Sequence, residues 1–554
     1  MKSPCELIRR RHLIATLALS AAVLAQTGPP AVSLSRMQAD LQYLCSGKLE
    51  GRLSLSPGAD LAARYIAASF EKAQLAPASD VGFLQPFPLL AAPPPSKTTP
   101  ANRPAPASAS LTIIHSGNRK QLRSGVDYRA TAWRNLSLTG AVVFVGYGIT
   151  APEYGYDDYA GIDVAGKIVL AFDHEPQETD PHSIFNGTGQ TRHASSSRVK
   201  PENARRHGAV AMLIVSEPLR KHPSAFDPAL APSPKSSLRA TAPRQTLDDE
   251  LIPVFTLSDP VAAELLRASG HTPAELQSSL DRNLRPVSTL LPGVTVELAT
   301  TPDDVRHGQS ANVIGWLQGS DPALRSETIM ITAHYDHLGV QNGRLYPGAN
   351  DNASGTVAVM ELARLFAQGA VRPRRSLLFV VFGSEEEGLL GSYFYVAHPV
   401  RPLATTRGVL NLDMIARDEA QIPQSQGILE IPSDTRNEIN LVAAFYSPDL
   451  ESVIRKANQN VGLDISTKFD RDHQLNALFR CDHLPFLLHD VPAVWLFGGF
   501  HPGYHEPSDT VDQLNYPKLE KVVRLAYLTA RTLADTSSPP RFHVQGNHST
   551  VAPR

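Results

Sequence analysis

An α/β fold is predicted, with a mostly parallel central sheet, helices on both of its faces and a mainly-β module inserted ahead of most of its strands. Two patterns carry the prediction. From Asn312 to about Ala534, apolar strand-like runs alternate with helical segments, which argues for parallel strands joined by helical crossovers. From about Leu111 to Leu298, short apolar runs are instead separated by turn residues such as Gly146-Tyr-Gly and Pro152-Glu-Tyr-Gly. Ligands of open α/β sheets collect at the carboxyl ends of the strands, so polar residues at those ends are the candidates for a site.

Taken in order, residues 1–25 read as a signal peptide. Arg9, Arg10 and Arg11 precede a short apolar run, Leu13 to Leu24, with small residues before a cut near Ala25. That run is too short to span a bilayer of about 30 Å. The mature chain is thus expected to be exported, periplasmic or extracellular, without stable membrane insertion after cleavage. Residues 33–110 form the first part of the main domain. They include a helix with Leu61, Tyr65, Ile66 and Phe70 on one face, and a Pro/Ala/Ser loop with no packing pattern. Residues 111–303 are the inserted module, with strands at Ala141-Val-Val-Phe-Val, Lys167-Ile-Val-Leu-Ala-Phe and Ala209-Val-Ala-Met-Leu-Ile-Val. Residues 304–536 are the second part of the main domain. Its strands are Glu327-Thr-Ile-Met-Ile-Thr-Ala, Ser376-Leu-Leu-Phe-Val-Val-Phe, Val409-Leu-Asn-Leu and Ala493-Val-Trp-Leu-Phe. Its helices are Ala353 to Gln368, Glu387 to Val396 and Lys518 to Leu533. Residues 537–554 read as a flexible, Pro-rich tail.

The 554 residues are 42% hydrophobic and 19% charged, an ordinary globular composition. Acids (54) and bases (52) nearly cancel, which argues against a nucleic-acid partner on whole-chain electrostatics. Three cysteines exclude a disulfide scaffold and a four-thiolate zinc finger. Cys45 and Cys481, which follow the signal, are left as either a pair or two free thiols.

Five motifs stand at predicted strand ends: Ala333-His-Tyr-Asp-His337, Gly348-Ala-Asn-Asp-Asn-Ala-Ser-Gly355, Gly383-Ser-Glu-Glu-Glu-Gly-Leu-Leu-Gly-Ser392, Asn411-Leu-Asp-Met414 and Tyr504-His-Glu-Pro-Ser-Asp-Thr510. Singly, each has an ordinary explanation: Asn-Asp-Asn caps helices, and Glu-Glu-Glu is commonly a solvated face. Together they supply imidazoles and carboxylates without thiolate, a donor set suited to zinc or cobalt. Two imidazoles and three carboxylates exceed the needs of one four-coordinate ion and fit two ions sharing a carboxylate. Adjacent Glu385 and Glu386 point in different directions, so one can bind metal while its neighbour acts as general base. His334 and Asp336, two apart, project to one side, so Asp336 can orient the imidazole.

On these motifs the chain resembles the co-catalytic zinc aminopeptidase family, which includes secreted bacterial leucyl-type aminopeptidases and, more distantly, glutamate carboxypeptidase II. The resemblance implies the zinc exopeptidase fold and two zinc ions, with cobalt or manganese as substitutes. It implies one ion on His334 and Asp413, the other on Glu386 and His505, Asp351 as the bridge, Glu385 as general base and Asp336 as the residue that orients His334. It implies peptide-bond hydrolysis by a water shared between the metals, with an aminopeptidase as the leading reading. A single-zinc glutaminyl cyclase, a carboxypeptidase or dipeptidase, and a non-catalytic binding homologue are the alternatives. Gly146-Tyr-Gly-Ile-Thr-Ala-Pro-Glu-Tyr-Gly-Tyr-Asp-Asp-Tyr and Gly166-Lys-Ile-Val-Leu further resemble the protease-associated domain inserted in many members. Arg480-Cys-Asp-His483 stands where many relatives read Arg-Ser-Asp-His.

Overall fold

The computed structural model describes residues 31–78, 81–91, 108–130, 135–195, 198–221, 224, 244–245, 252–301, 306–423 and 425–545. The expected signal peptide lies outside the described residues, as does the Pro-rich loop read over 90–107 except for its first two residues, which belong to a strand. Two helices open the fold, α1 (Leu34–Leu44) and α2 (Pro57–Lys72), each begun by a serine whose side chain accepts a backbone N–H of the first turn. They lead into β1 (Leu84–Ala91). After the insertion come β2 (Arg306–Leu317), β3 (Thr328–His334), α3 (Gly355–Gln368), β4 (Ser376–Phe382), α4 (Leu390–Ala397) and β5 (Thr406–Asp413). The last part holds β6 (Glu438–Val442), α5 (Pro448–Asn458), β7 (Asp464–Ser466), β8 (Ala493–Phe497) and α6 (Tyr516–Asp535).

One sheet gathers these strands in the order β1-β2-β4-β3-β5-β8-β6-β7, with Arg244–Gln245 added beside β1 and Ala76–Pro77 beside β2. The block β4-β3-β5-β8 is parallel, and the pairings β1–β2, β2–β4 and β6–β8 that flank it are antiparallel. Both faces are covered. Along β3, Ile329, Ile331 and Ala333 pack with α2, α3 and α6, while Met330 points the other way toward Tyr395 and Val396 of α4 and toward Phe486 and Leu487. Burial on both faces explains why these strands read as unbroken apolar runs. Because four neighbouring strands run the same way, their carboxyl ends lie along one edge.

Within the insertion a second, eight-stranded sheet runs from Ser108–His115 to Thr289–Thr301 and includes Leu136–Phe144, Ile168–Phe172 and Ala211–Val215. Helices Val199–Arg206, Asp259–Leu266 and Pro273–Asn283 accompany it. One sequence expectation is corrected, and a question left open for the cysteines is settled. The described part of the 537–554 tail is pinned rather than loose: Phe542 stacks on Tyr446 with ring centroids 5.1 Å apart, and the His543 amide donates to the Tyr446 carbonyl at 2.7 Å. Cys45 and Cys481 are free thiols, so they form no pair.

Candidate metal centre

Four of the candidate residues end or closely follow strands of the parallel block. His334 is the last residue of β3, Asp413 the last of β5, and Glu385 and Glu386 follow β4. His505 lies beyond β8 and has a left-handed φ of 56°. Asp351 sits in a π-helical turn, Ala349–Ser354, that precedes α3; its φ of −108° and ψ of 97° take it out of the helical register. That turn is tied down from outside. Asp509 accepts the amides of Asn350 (3.0 Å) and Asp351 (3.0 Å), Asn350 Oδ1 accepts the Ala416 amide (2.8 Å), and Asn352 Oδ1 accepts the Gly355 amide (2.8 Å). Asn352 therefore satisfies the first amide of α3, the kind of task Asn-Asp-Asn suggested, and Asp351 is left free of it.

The five expected ligands converge. His334 Nε2 lies 3.4 Å from Asp351 Oδ1, 3.5 Å from Asp413 Oδ1 and 3.7 Å from Glu385 Oε2. His505 Nε2 lies 3.1 Å from Asp351 Oδ2 and 3.2 Å from Glu386 Oε2. Thus one oxygen of Asp351 faces each histidine. The sequence reading gave no role to His337, which is fully buried with Nδ1 2.8 Å from Glu386 Oε1. Its only signal was the final letter of His-Tyr-Asp-His.

Asp336 performs a further task beyond the one read from spacing. Its carboxylate accepts the amides of Glu385 (Oδ1, 3.0 Å) and Glu386 (Oδ2, 3.2 Å), fixing the turn that carries both glutamates. His334 Nδ1 is 3.2 Å from the Asp336 main-chain carbonyl and 3.7 Å from Oδ1, so the main chain, not the carboxylate, makes the closer contact with the ring. Buried Arg52, which no motif announced, donates to the carbonyls of Leu44, Tyr335, Pro347 and Gly348 and so joins α1 to the loops before Asp336 and Asp351.

The charges are strongly coupled. Burial pushes the Glu385 carboxyl well above its ordinary range, with Asp482, Glu386 and Asp413 adding to the shift and His334 opposing it. Burial acts against protonated His334, yet Glu385 and Asp413 outweigh it and hold the imidazole well above its ordinary value. The same contest, won by Glu386 and Asp351, raises His505 to about 9. Burial would raise Asp351, but the imidazoles of His334 and His505 beside it hold it well below the usual carboxylate range. Buried carboxylates at this density need a compensating cation.

The donor set fits metal ions. Ligand atoms of His334, Glu385 and Asp413 lie within 4.8 Å of one another, as do those of His337, Asp351 and Glu386. His334 Nε2, His337 Nε2 and Asp413 Oδ1 are buried without a hydrogen-bond partner, a state that polar groups inside proteins rarely keep unless something else satisfies them. A cavity of about 180 Å³ opens onto Asp351, Glu385, Glu386, Asp413 and His505, lined also by Phe479, Arg480, Trp495, Phe500 and Tyr504.

The sequence profile of peptidase family M28 matches residues 312–530, the stretch that holds every residue of this centre. The chain is 27% identical to the aminopeptidase YwaD of Bacillus subtilis over 219 residues, covering 38% of this chain and 42% of that protein. It is 28% identical to leupeptin-inactivating enzyme 1 of Streptomyces exfoliatus over 251 residues, covering 41% of this chain and 50% of the relative. The chain spans about half the length of the curated relatives it matches. A solved aminopeptidase from Aneurinibacillus sp. strain AM-1 aligns at 21% identity and a TM-score of 0.46, over 93% of this chain and 96% of that one. Profile and geometry coincide on the same strand ends, and the chain carries a peptidase family M28 domain over residues 312–530.

Proposed function

We propose that this chain is an exported two-zinc aminopeptidase. One observation carries the reading: two imidazole–carboxylate groups sit at the ends of neighbouring parallel strands, with Asp351 turning one oxygen toward each. His334 and Asp413 would hold one zinc ion and His505 and Glu386 the other, with Asp351 placed to serve both. His337 orients Glu386 through its 2.8 Å contact. Bound zinc supplies Lewis acidity toward water and the scissile carbonyl. Glu385 is the general base: its carboxylate takes a proton from the attacking water and returns it to the leaving amine. The cavity of about 180 Å³ is smaller than a drug-sized site and is walled by Phe479, Trp495, Phe500 and Tyr504. It suits a single terminal residue rather than a threaded chain. The inserted module, as a protease-associated-like domain, steadies that wall: the Asn186 side chain donates to the Asp470 carbonyl at 3.0 Å, and His473 Nδ1 meets the Thr188 carbonyl at 2.9 Å.

The test is a panel of peptides with free and blocked N-termini, assayed with wild type and Glu385→Gln, alongside zinc analysis. Loss of general base catalysis is expected to lower kcat about 10²–10⁴-fold while both ions remain. Near-wild-type hydrolysis by the variant, cleavage of blocked peptides, or wild-type protein that binds no zinc would refute the reading.

A further inference from the structure

The geometry points to Cys481 as a positioning residue for the metal centre: its thiol selects which oxygen of Asp413 faces the cation. The inference rests on the two-zinc reading above.

A directed chain of buried hydrogen bonds ends on Asp413. The Thr332 hydroxyl donates to Asn411 Oδ1 at 2.7 Å, which fixes the amide so that Nδ2 points away. Asn411 Nδ2 donates to Cys481 Sγ at 2.9 Å. With its sulfur accepting from Asn411, the thiol directs its own hydrogen to Asp413 Oδ2, 3.0 Å away. Thr332, Asn411 and Cys481 are 0% exposed, so water does not compete for these bonds. The main chain is held separately, because Trp495 Nε1 donates to the Asp413 carbonyl at 3.1 Å.

The consequence falls on the other oxygen. Asp413 Oδ1 is buried without a hydrogen-bond partner, and it lies 3.5 Å from His334 Nε2, which is also buried without one. Two unsatisfied donor atoms thus share one spot, and Cys481 occupies the oxygen that turns away from it. Without the thiol, Asp413 is free to rotate about its terminal bond and to offer either oxygen. Outer partners of metal ligands act in this way, and their loss typically costs 10–100-fold in metal affinity.

The experiment compares Cys481→Ala, Cys481→Val and Cys481→Ser in the full chain by zinc competition against a chromogenic chelator, with circular dichroism as a check on folding. Alanine and valine remove the donor, with and without a cavity; serine restores it in smaller form. Alanine and valine are expected to weaken one of the two zinc sites about 10–100-fold, with serine within about threefold of wild type. Equal weakening in alanine and serine variants would assign the effect to packing and overturn the inference. So would unchanged affinity in the alanine and valine variants while wild type binds two ions. Wild-type protein that binds no zinc would overturn the metal reading and this inference with it.

Discussion

Arg52→Met tests whether the amino-terminal segment is part of the metal centre. Arg52 is 0% exposed and spends its guanidinium on four main-chain carbonyls: Tyr335 (2.7 Å), Leu44 (2.7 Å), Pro347 (2.7 Å) and Gly348 (2.9 Å). Methionine has comparable length and no donor. Each orphaned buried acceptor costs roughly 1–3 kcal/mol, so four would cost about 4–12 kcal/mol if nothing moved. Release of a buried guanidinium offsets several kcal/mol of that. A net loss of about 3–5 kcal/mol is expected, a large share of the roughly 5–15 kcal/mol that holds a typical domain. The loss should be local before it is global. Tyr335 separates His334 from Asp336, and Pro347 and Gly348 lead into the turn that presents Asp351. Urea unfolding followed by tryptophan fluorescence measures the stability, and zinc analysis of the folded protein measures the site. Arg52→Lys, which keeps the charge but cannot reach every carbonyl, should fall between. If Arg52→Met unfolds within about 1 kcal/mol of wild type and keeps both ions, the claim that Arg52 joins these loops is wrong.

Asp336→Ala removes the acceptor of the Glu385 and Glu386 amides at 3.0 and 3.2 Å. It should lower kcat/KM and zinc affinity about 10–100-fold; peptide hydrolysis and zinc titration at wild-type levels would contradict the role given to its carboxylate. Asp158, in the inserted module, is pushed by burial from 3.8 up to about 7, against hydrogen bonds from Ile149, Tyr156 and Tyr147 that favour its charged form. An acid with a higher value folded than unfolded binds its proton more tightly in the fold, so its contribution is greatest at low pH and declines from about pH 4 to about pH 7. Asp158→Asn keeps an acceptor for the Tyr147 and Ile149 amides and should flatten that decline; parallel pH profiles of urea midpoints for the two proteins would refute this.

How much of this was legible depended on whether a residue's task is set by its own strand or by a distant one. His334, Glu385, Glu386 and Asp413 each stop or follow an apolar run, and parallel strands bring such stops to one edge without further information. Asp351 and His505 were legible only through their motifs, since the Asp351 turn is π-helical and is held by Asp509, 158 residues away. The helix read from Ala353 starts at Gly355 for that reason: the residues before it are spent on Asn352 and Ser354 contacts. Some local signals were present and went unread. Thr272 and Glu275 form a capping box that announces helix Pro273–Asn283 in a module read as mainly β.

Arg52 and Cys481 show the harder limit. A lone arginine after a turn has no pattern, and Cys481 was marked only as a thiol where relatives read serine; the Tyr335 carbonyl that Arg52 meets lies 283 residues away, and the Asp413 carboxylate that Cys481 meets lies 68 away. Their importance comes from burial, which removes water as an alternative partner and makes every polar contact obligatory. The ligands of a metal centre recur as motifs because the ion constrains their chemistry. The groups that aim those ligands are constrained only by geometry, and a thiol, hydroxyl or guanidinium serves wherever the fold delivers a donor at the right distance. Reading the centre from sequence therefore recovers what touches the ion sooner than what holds those groups still.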